Sequence, residues 1–250
     1  MQNRSVKSFY LFFSTLVIGL FSFAFAFAKS VEKRSKHVFH STSDSSDYLA
    51  SVRPTVLSVY DSLNMGINGI NRKVFELAQK GLDKLKKRGM VLNDSIVSII
   101  DFSMPSSAKR LFVIDINNYE VLFNTYVAHG RNSGKEVASS FSNSLRSFKS
   151  SLGFYVTGDT YFGGHGYSLK LRGLDKGFND NAGRRAVVMH PADYVNESLI
   201  YSQGYIGRSL GCPALSPKES KEIIDVIKEG TCLFIYSPDK RYLTQSRILN

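Results

Sequence analysis

The chain has 250 residues, room for one sizeable domain with appended segments, and its 43% hydrophobic and 21% charged content excludes overall disorder. A formal charge of +11 favours anionic partners. There is no zinc-finger spacing and no Gly-Lys-Ser/Thr phosphate loop, so nucleic-acid and nucleotide functions are not indicated, while bacterial wall polymers and anionic lipid remain candidates.

In chain order, Arg4 and Lys7 precede an uncharged apolar run from Ser8 to Ala28 that ends Ala26-Phe27-Ala28, a small-x-small cleavage pattern. Residues 1–28 are expected to be a signal peptide or, given about 20 apolar residues, an uncleaved signal anchor. Either reading exports the rest of the chain, with membrane contact only if the leader is retained. Residues 29–46 are polar and mixed in charge and read as a flexible linker.

Residues 47–90 read as a helical segment packed on the main domain. Val74, Leu77, Ala78, Leu82 and Leu85 recur at threes and fours, and Gly89 stands at the C′ position. The basic cluster Lys84-Leu-Lys-Lys-Arg88 is read as a solvated helix end that suits the helix dipole.

The main domain is placed at 91–236. Strand-like runs are Ser95–Phe102, Arg110–Ile116, Tyr119–Val127, Phe154–Thr157, Ser168–Leu171, Ala186–His190 and Cys232–Tyr236, with Asn117-Asn118 as a tight hairpin turn. Ser216-Pro217-Lys218-Glu219 is a capping box opening a helix with Ile223, Ile224 and Ile227 on its apolar face and Gly230 at its end. Residues 237–250 are left as a C-terminal tail. The expected fold is mainly β (α+β), a sandwich or a curved sheet closing on itself with a few helices.

The chain has two cysteines. Cys232 lies in an apolar strand-like run and reads as a small hydrophobe. Cys212 lies in Gly207-Arg-Ser-Leu-Gly-Cys-Pro-Ala-Leu215, where Gly211 permits close backbone approach and Pro213 stiffens the turn. A Cys212–Cys232 disulfide is one reading of two cysteines in an exported protein. The other is a nucleophilic thiol, which needs a base. His37 and His40 fall in the linker. His129, His165 and His190 remain, and His190 closes the apolar run Ala186-Val-Val-Met-His190, where a sheet would hold it rigidly.

His190, followed 22 residues later by Cys212 in Ser209-Leu-Gly-Cys212, resembles the His…Ser-x-Gly-Cys signature of the YkuD-type L,D-transpeptidase catalytic domain. More closely, the chain is similar to the murein branch typified by Gly-Arg-Ser-x-Gly-Cys-Pro-Ala-Leu. Asp101-Phe-Ser103, Val127-Ala-His-Gly-Arg-Asn-Ser-Gly134, Phe141-Ser-Asn143, Ser150-Ser-Leu-Gly-Phe-Tyr155, His165-Gly-Tyr-Ser-Leu169 and Phe178-Asn-Asp-Asn181 extend the resemblance over roughly residues 91–236.

The resemblance implies a Cys212 nucleophile and a His190 base acting on peptidoglycan stem peptides. The thiolate would attack the diamino-acid–D-Ala bond of a stem tetrapeptide, form a thioester and pass the acyl group to an amine, giving a 3→3 cross-link. Water as acceptor would make it an L,D-carboxypeptidase. It also implies an oxyanion hole around Gly211 and Cys212, a loop role for Ser209, and Arg208, His129, His165 and Tyr155 as candidate substrate contacts. No metal or organic cofactor is implied. Two departures stand out: Pro191 follows the histidine where many members have Gly, and Ala214 and Leu215 stand where many carry Arg or Asn. A catalytically silent wall-binding module predicts loss of Cys or His, and both are present; a papain-like peptidase would place its Cys before its His.

Overall fold

A computed structural model of the chain describes residues 60–61 and 69–250. The leader, the linker and most of the chain before Gly69 lie outside the described residues, so the expectations for 1–28 and 29–46 concern residues that are not described. Among the described residues no helix is long and apolar enough to cross a membrane.

Helix α1 (Arg72–Lys87) opens with Asn71, whose side chain accepts the Lys73 N–H. It closes as the Gly89 position predicts: Gly89 has φ +64°, its N–H donates to Lys86 O, and the Met90 N–H reaches back to Leu85 O. That pair of bonds satisfies two of the helix's last carbonyls in a Schellman motif. Val74, Phe75, Ala78, Gly81, Leu82 and Leu85 form the buried stripe. Gly81 is required by contact, because a Cβ there would fall 2.0 Å from the Phe154 ring, which is itself stacked on Phe234 at 4.3 Å. The basic end is not wholly solvated: Lys84 Nζ donates to the carbonyls of Arg247 and Asn250.

Eight strands make one mixed sheet: β1 (Ile96–Asp101), β2 (Leu111–Asp115), β3 (Glu120–Thr125), β4 (Gly153–Gly163), β5 (Gly166–Gly173), β6 (Val188–Pro191), β7 (Ala214–Leu215) and β8 (Cys232–Tyr236). Their order is β3-β2-β1-β8-β4-β5-β6-β7. The last strand in sequence is thus internal, parallel to β1 on one side and antiparallel to β4 on the other. β1 and β8 are buried along their whole length, the pattern of strands covered on both faces.

Helix α2 (Glu197–Gln203) follows β6, α3 (Pro217–Ile227) follows β7, and α4 (Lys240–Gln245) follows β8. The main core joins the α1 stripe, the central strands, Ile223, Ile224 and Ile227 of α3, and Tyr242, Ile248 and Leu249 of the C-terminal residues.

Several local expectations change. The β2–β3 turn places its positive φ on Tyr119 (+56°), while Asp115 Oδ1 accepts the N–H groups of both Asn117 and Asn118. Ser216 caps α3 through the Lys218 N–H, but Glu219 turns away and accepts the Thr125 hydroxyl at 2.5 Å, so no reciprocal box forms. Residues 237–250 are not a loose tail. Asp175 receives Phe154 N–H, Tyr242 OH and Ser246 OH, tying α4 to β4.

Candidate active site

The site lies where β6 and β7 run parallel, with His190 opposite Ala214. Continuing that register two residues back sets Cys212 beside Val188, and the Val188 N–H donates to Cys212 Sγ at 3.5 Å. The thiol in turn faces the Ala186 carbonyl at 3.8 Å. Both cysteines are free: Cys212 is partly exposed, while Cys232 is buried in β8 and its thiol is pushed up to about 12 by burial. The disulfide reading is thereby removed.

The loop before Cys212 is pinned from two directions. Ala128 N–H donates to Ala214 O, Ser209 N–H to His129 O, and Arg131 N–H to Ser209 O, so segment 128–131 runs alongside 209–214. Gly130 and Gly211 are needed where these backbones meet. A Cβ on Gly130 would lie 2.9 Å from Gly211 Cα, and Gly211 has φ +129° with Lys149 O 2.9 Å from where its Cβ would stand. Ser209, nearly buried, is a clasp: its Oγ accepts the Gly211 N–H at 3.0 Å and donates to Cys212 O at 2.6 Å. The Gly211 N–H is therefore engaged by the Ser209 hydroxyl.

His190 is nearly buried, and its Nδ1–H donates to Pro191 O at 2.8 Å. That bond fixes the tautomer and leaves Nε2 unprotonated and able to accept a proton. The His165 ring stacks on it at 4.4 Å from the β4–β5 hairpin. Burial, then the neighbouring His165, hold His190 below the ordinary histidine range, against the pull of Pro191 O. Burial raises the Cys212 thiol, opposed by the Val188 N–H and the Arg185 charge. Both directions favour a resting pair of neutral thiol and neutral imidazole.

The other expected contacts separate. His165 is exposed above His190, and Arg208 is exposed with its Nη1 donating to Gly134 O at 3.1 Å. His129 is wholly buried: Nδ1 accepts from Arg110 Nη2 at 2.8 Å and Nε2–H donates to Gly134 O. Burial and the Arg110 charge hold it down to about 4. Tyr155 is also fully buried, donating to Ser151 O at 3.0 Å. Both ring nitrogens of His129 and the Tyr155 hydroxyl are thus engaged in internal hydrogen bonds, and both side chains are buried rather than exposed as expected of substrate contacts.

Two features escaped the sequence reading. Arg185, the second of the Arg184-Arg185 pair, lies half-buried against the Cys212 loop, with four hydrogen bonds to residues 142–151. A cavity of about 960 Å³ has Val156, Lys170, Arg172 and Val188 in its wall, together with Ala186. Lys170 pairs with Val188 and Val156 with Arg172, so these four share the sheet face that carries His190. Because Ala186 and Val188 are the polar partners of Sγ, the cavity ends beside the thiol. Among the described residues no group of three or more His, Cys, Asp or Glu side chains is arranged to hold a metal ion.

Comparison with solved structures finds low-identity likenesses. An L,D-transpeptidase from Mycobacterium smegmatis is 15% identical over 57% of this chain and 59% of its own, with a TM-score of 0.36. The K307A mutant of Pgp2, a helical cell shape determining protein from Campylobacter jejuni, is 15% identical over 66% of this chain and 56% of its own (TM-score 0.39). An L,D-transpeptidase from Stackebrandtia nassauensis is 13% identical over 73% of this chain and 78% of its own (TM-score 0.36). The chain thus spans less than two thirds of the first two. No curated protein matches significantly. The sequence model of the L,D-transpeptidase catalytic domain matches residues 67–236, which include Cys212, His190 and every strand of the sheet, and the chain accordingly belongs to the YkuD-type L,D-transpeptidase catalytic domain family.

Proposed function

We propose that the protein is a peptidoglycan L,D-transpeptidase using Cys212 as nucleophile and His190 as general acid–base. The observation that carries this reading is the parallel β6–β7 pairing, which brings a partly exposed thiol, two residues before β7, alongside β6, whose His190 keeps Nε2 free, while the thiol's partners Ala186 and Val188 line a large cavity.

In this mechanism the Cys212 S–H proton passes to His190 Nε2 as sulfur attacks the carbonyl of the stem's third residue. The Cys212 N–H stabilises the developing oxyanion. Collapse breaks the C–N bond to D-Ala, whose amine takes the proton from His190, and a thioester remains. The amine of a second stem attacks that thioester, His190 accepts its proton, and the thiolate leaves to give the 3→3 amide. The lowered His190 value supports this role, because the base stays neutral through the neutral pH range. Arg172 in the cavity wall offers positive charge to a carboxylate of a stem peptide, while Lys170 is paired with Asp159. By membership of the family the substrate is sought outside the cytoplasm, in agreement with the expectation of export.

The test is incubation of the full-length chain, in detergent under reducing conditions, with disaccharide-tetrapeptide, followed by mass spectrometry. Loss of D-Ala with cross-linked dimer, absent in Cys212→Ala and His190→Ala, supports the proposal. Loss of D-Ala without dimer points to the carboxypeptidase, and no turnover by the native protein overturns both.

A further inference from the structure

Arg185 has an arrangement that an ordinary surface arginine does not. Its Nη1 donates to Ser142 O at 2.8 Å and to Ser151 Oγ. Its Nη2 donates to Lys149 O at 2.5 Å and to Ser147 Oγ at 3.2 Å. All four acceptors are neutral, and among the described residues no carboxylate pairs with it. The same Nη2 lies 3.2 Å from where a Gly211 Cβ would stand, so the guanidinium is pressed against the residue that precedes the nucleophile. A half-buried, unneutralised positive charge is costly to keep where only structure is at stake, because a neutral donor such as Gln would make comparable bonds to carbonyls and hydroxyls.

We propose that Arg185 is a positioning residue for Cys212: its fork holds segment 142–151 against Gly211, and its charge is directed to the anionic form of the neighbouring thiol. This rests on Cys212 being the nucleophile, but not on the identity of its substrate. The groups that face Cys212 are few. Arg185 precedes β6, His190 lies on β6 with His165 stacked behind it, and Tyr194 follows β6, its phenol raised by burial and by Cys212. Of these, Arg185 alone carries a permanent charge, and its influence on the thiol is toward easier ionisation. The imidazole can then serve mainly as the proton carrier, with part of the thiolate's stabilisation supplied by a fixed cation.

The experiment measures the rate of Cys212 alkylation by iodoacetamide against pH in the full-length chain, with peptide mapping to separate Cys212 from Cys232. Arg185→Gln should move the midpoint upward by about 0.5–1 pH unit, the effect of removing one nearby opposite charge from a partly exposed group. Arg185→Lys should recover much of that shift, because it restores charge without the fork. A folded Arg185→Gln protein with an unmoved profile overturns the proposal and leaves Arg185 as a structural brace. If Arg185→Gln fails to fold, the native protein decides. Sulfonate-bearing methanethiosulfonate should label Cys212 faster, relative to its trimethylammonium analogue, than it labels free cysteine, and an equal or lower ratio overturns the charge assignment. Neither measurement involves peptidoglycan, so its outcome is separate from that of the turnover assay.

Discussion

Replacing Ser209 with alanine removes one oxygen and two hydrogen bonds. The hydroxyl accepts the Gly211 N–H at 3.0 Å and donates to Cys212 O at 2.6 Å, in a residue that is only 4% exposed. Alanine leaves a buried N–H without an acceptor and withdraws the donor from the Cys212 carbonyl. Each loss costs about 1–2 kcal/mol, so Ser209→Ala should weaken the closed loop by about 2–4 kcal/mol. If the loop opens locally, its closing constant falls roughly 30- to 1,000-fold, at 1.4 kcal/mol per factor of ten. Hydrogen–deuterium exchange read by mass spectrometry on a peptide spanning 207–213 should show the Gly211 amide exchanging faster by that factor. Turnover should fall with it, because Cys212 is positioned by the clasp. Exchange within about threefold of the native protein, with turnover retained, would refute the claim that the hydroxyl holds the loop.

Other consequences can be checked without substrate. Gly81→Ala should destabilise the fold by about 1–3 kcal/mol despite alanine's higher helix propensity, since the new Cβ meets the Phe154 ring and Phe234 blocks that ring's retreat; thermal denaturation showing equal or greater stability would mean that α1 is not seated on the sheet as described. His129 gives a pH dependence. Its folded value of about 4 lies below the usual 6.5, so the unfolded chain binds more protons between those values, and stability is lost as pH falls from about 6.5 toward 4. The loss from this group is at most about 3 kcal/mol, and His129→Gln should flatten that part of the pH–stability curve. Identical curves for the two proteins would contradict a buried neutral imidazole.

The proposed dyad was legible in the sequence because its markers are local. A Gly-Cys-Pro loop, a histidine closing an apolar run and a Ser two residues before Gly211 can all be read within short windows. The eight-strand sheet was legible at the level of class, and most strand centres fell within the apolar runs. What escaped depended on distant partners. His129 is a buried acceptor only because Arg110, nineteen positions earlier, reaches it. Arg185 carries no local marker, and its partners lie 34 to 43 residues away. The C-terminal residues read only as a tail because the Asp175 network that holds them joins three separate parts of the chain. The β2–β3 hairpin turns around Asn117-Asn118 as expected, but Asp115 supplies an acceptor for the turn and the left-handed residue is Tyr119.

The internal position of β8 has a consequence for how the molecule is made. Among the described residues, the named strands β3-β2-β1 on one side and β4-β5-β6-β7 on the other are joined in strand order through residues 232–236, beside the short pairing of 128–131 with 209–214. A chain emerging from its amino end can form the two strand systems separately, but it cannot complete the sheet between them until residues 232–236 have appeared. Closing the sheet then requires contacts of long sequence separation, such as Val97 with Cys232, which makes the step slow and leaves sheet edges open while it waits. The half carrying α1 and β1–β3 and the half carrying the thiol are therefore brought into one sheet late, so a chain truncated before 232 would keep Cys212 and His190 and lose the strand between the two halves.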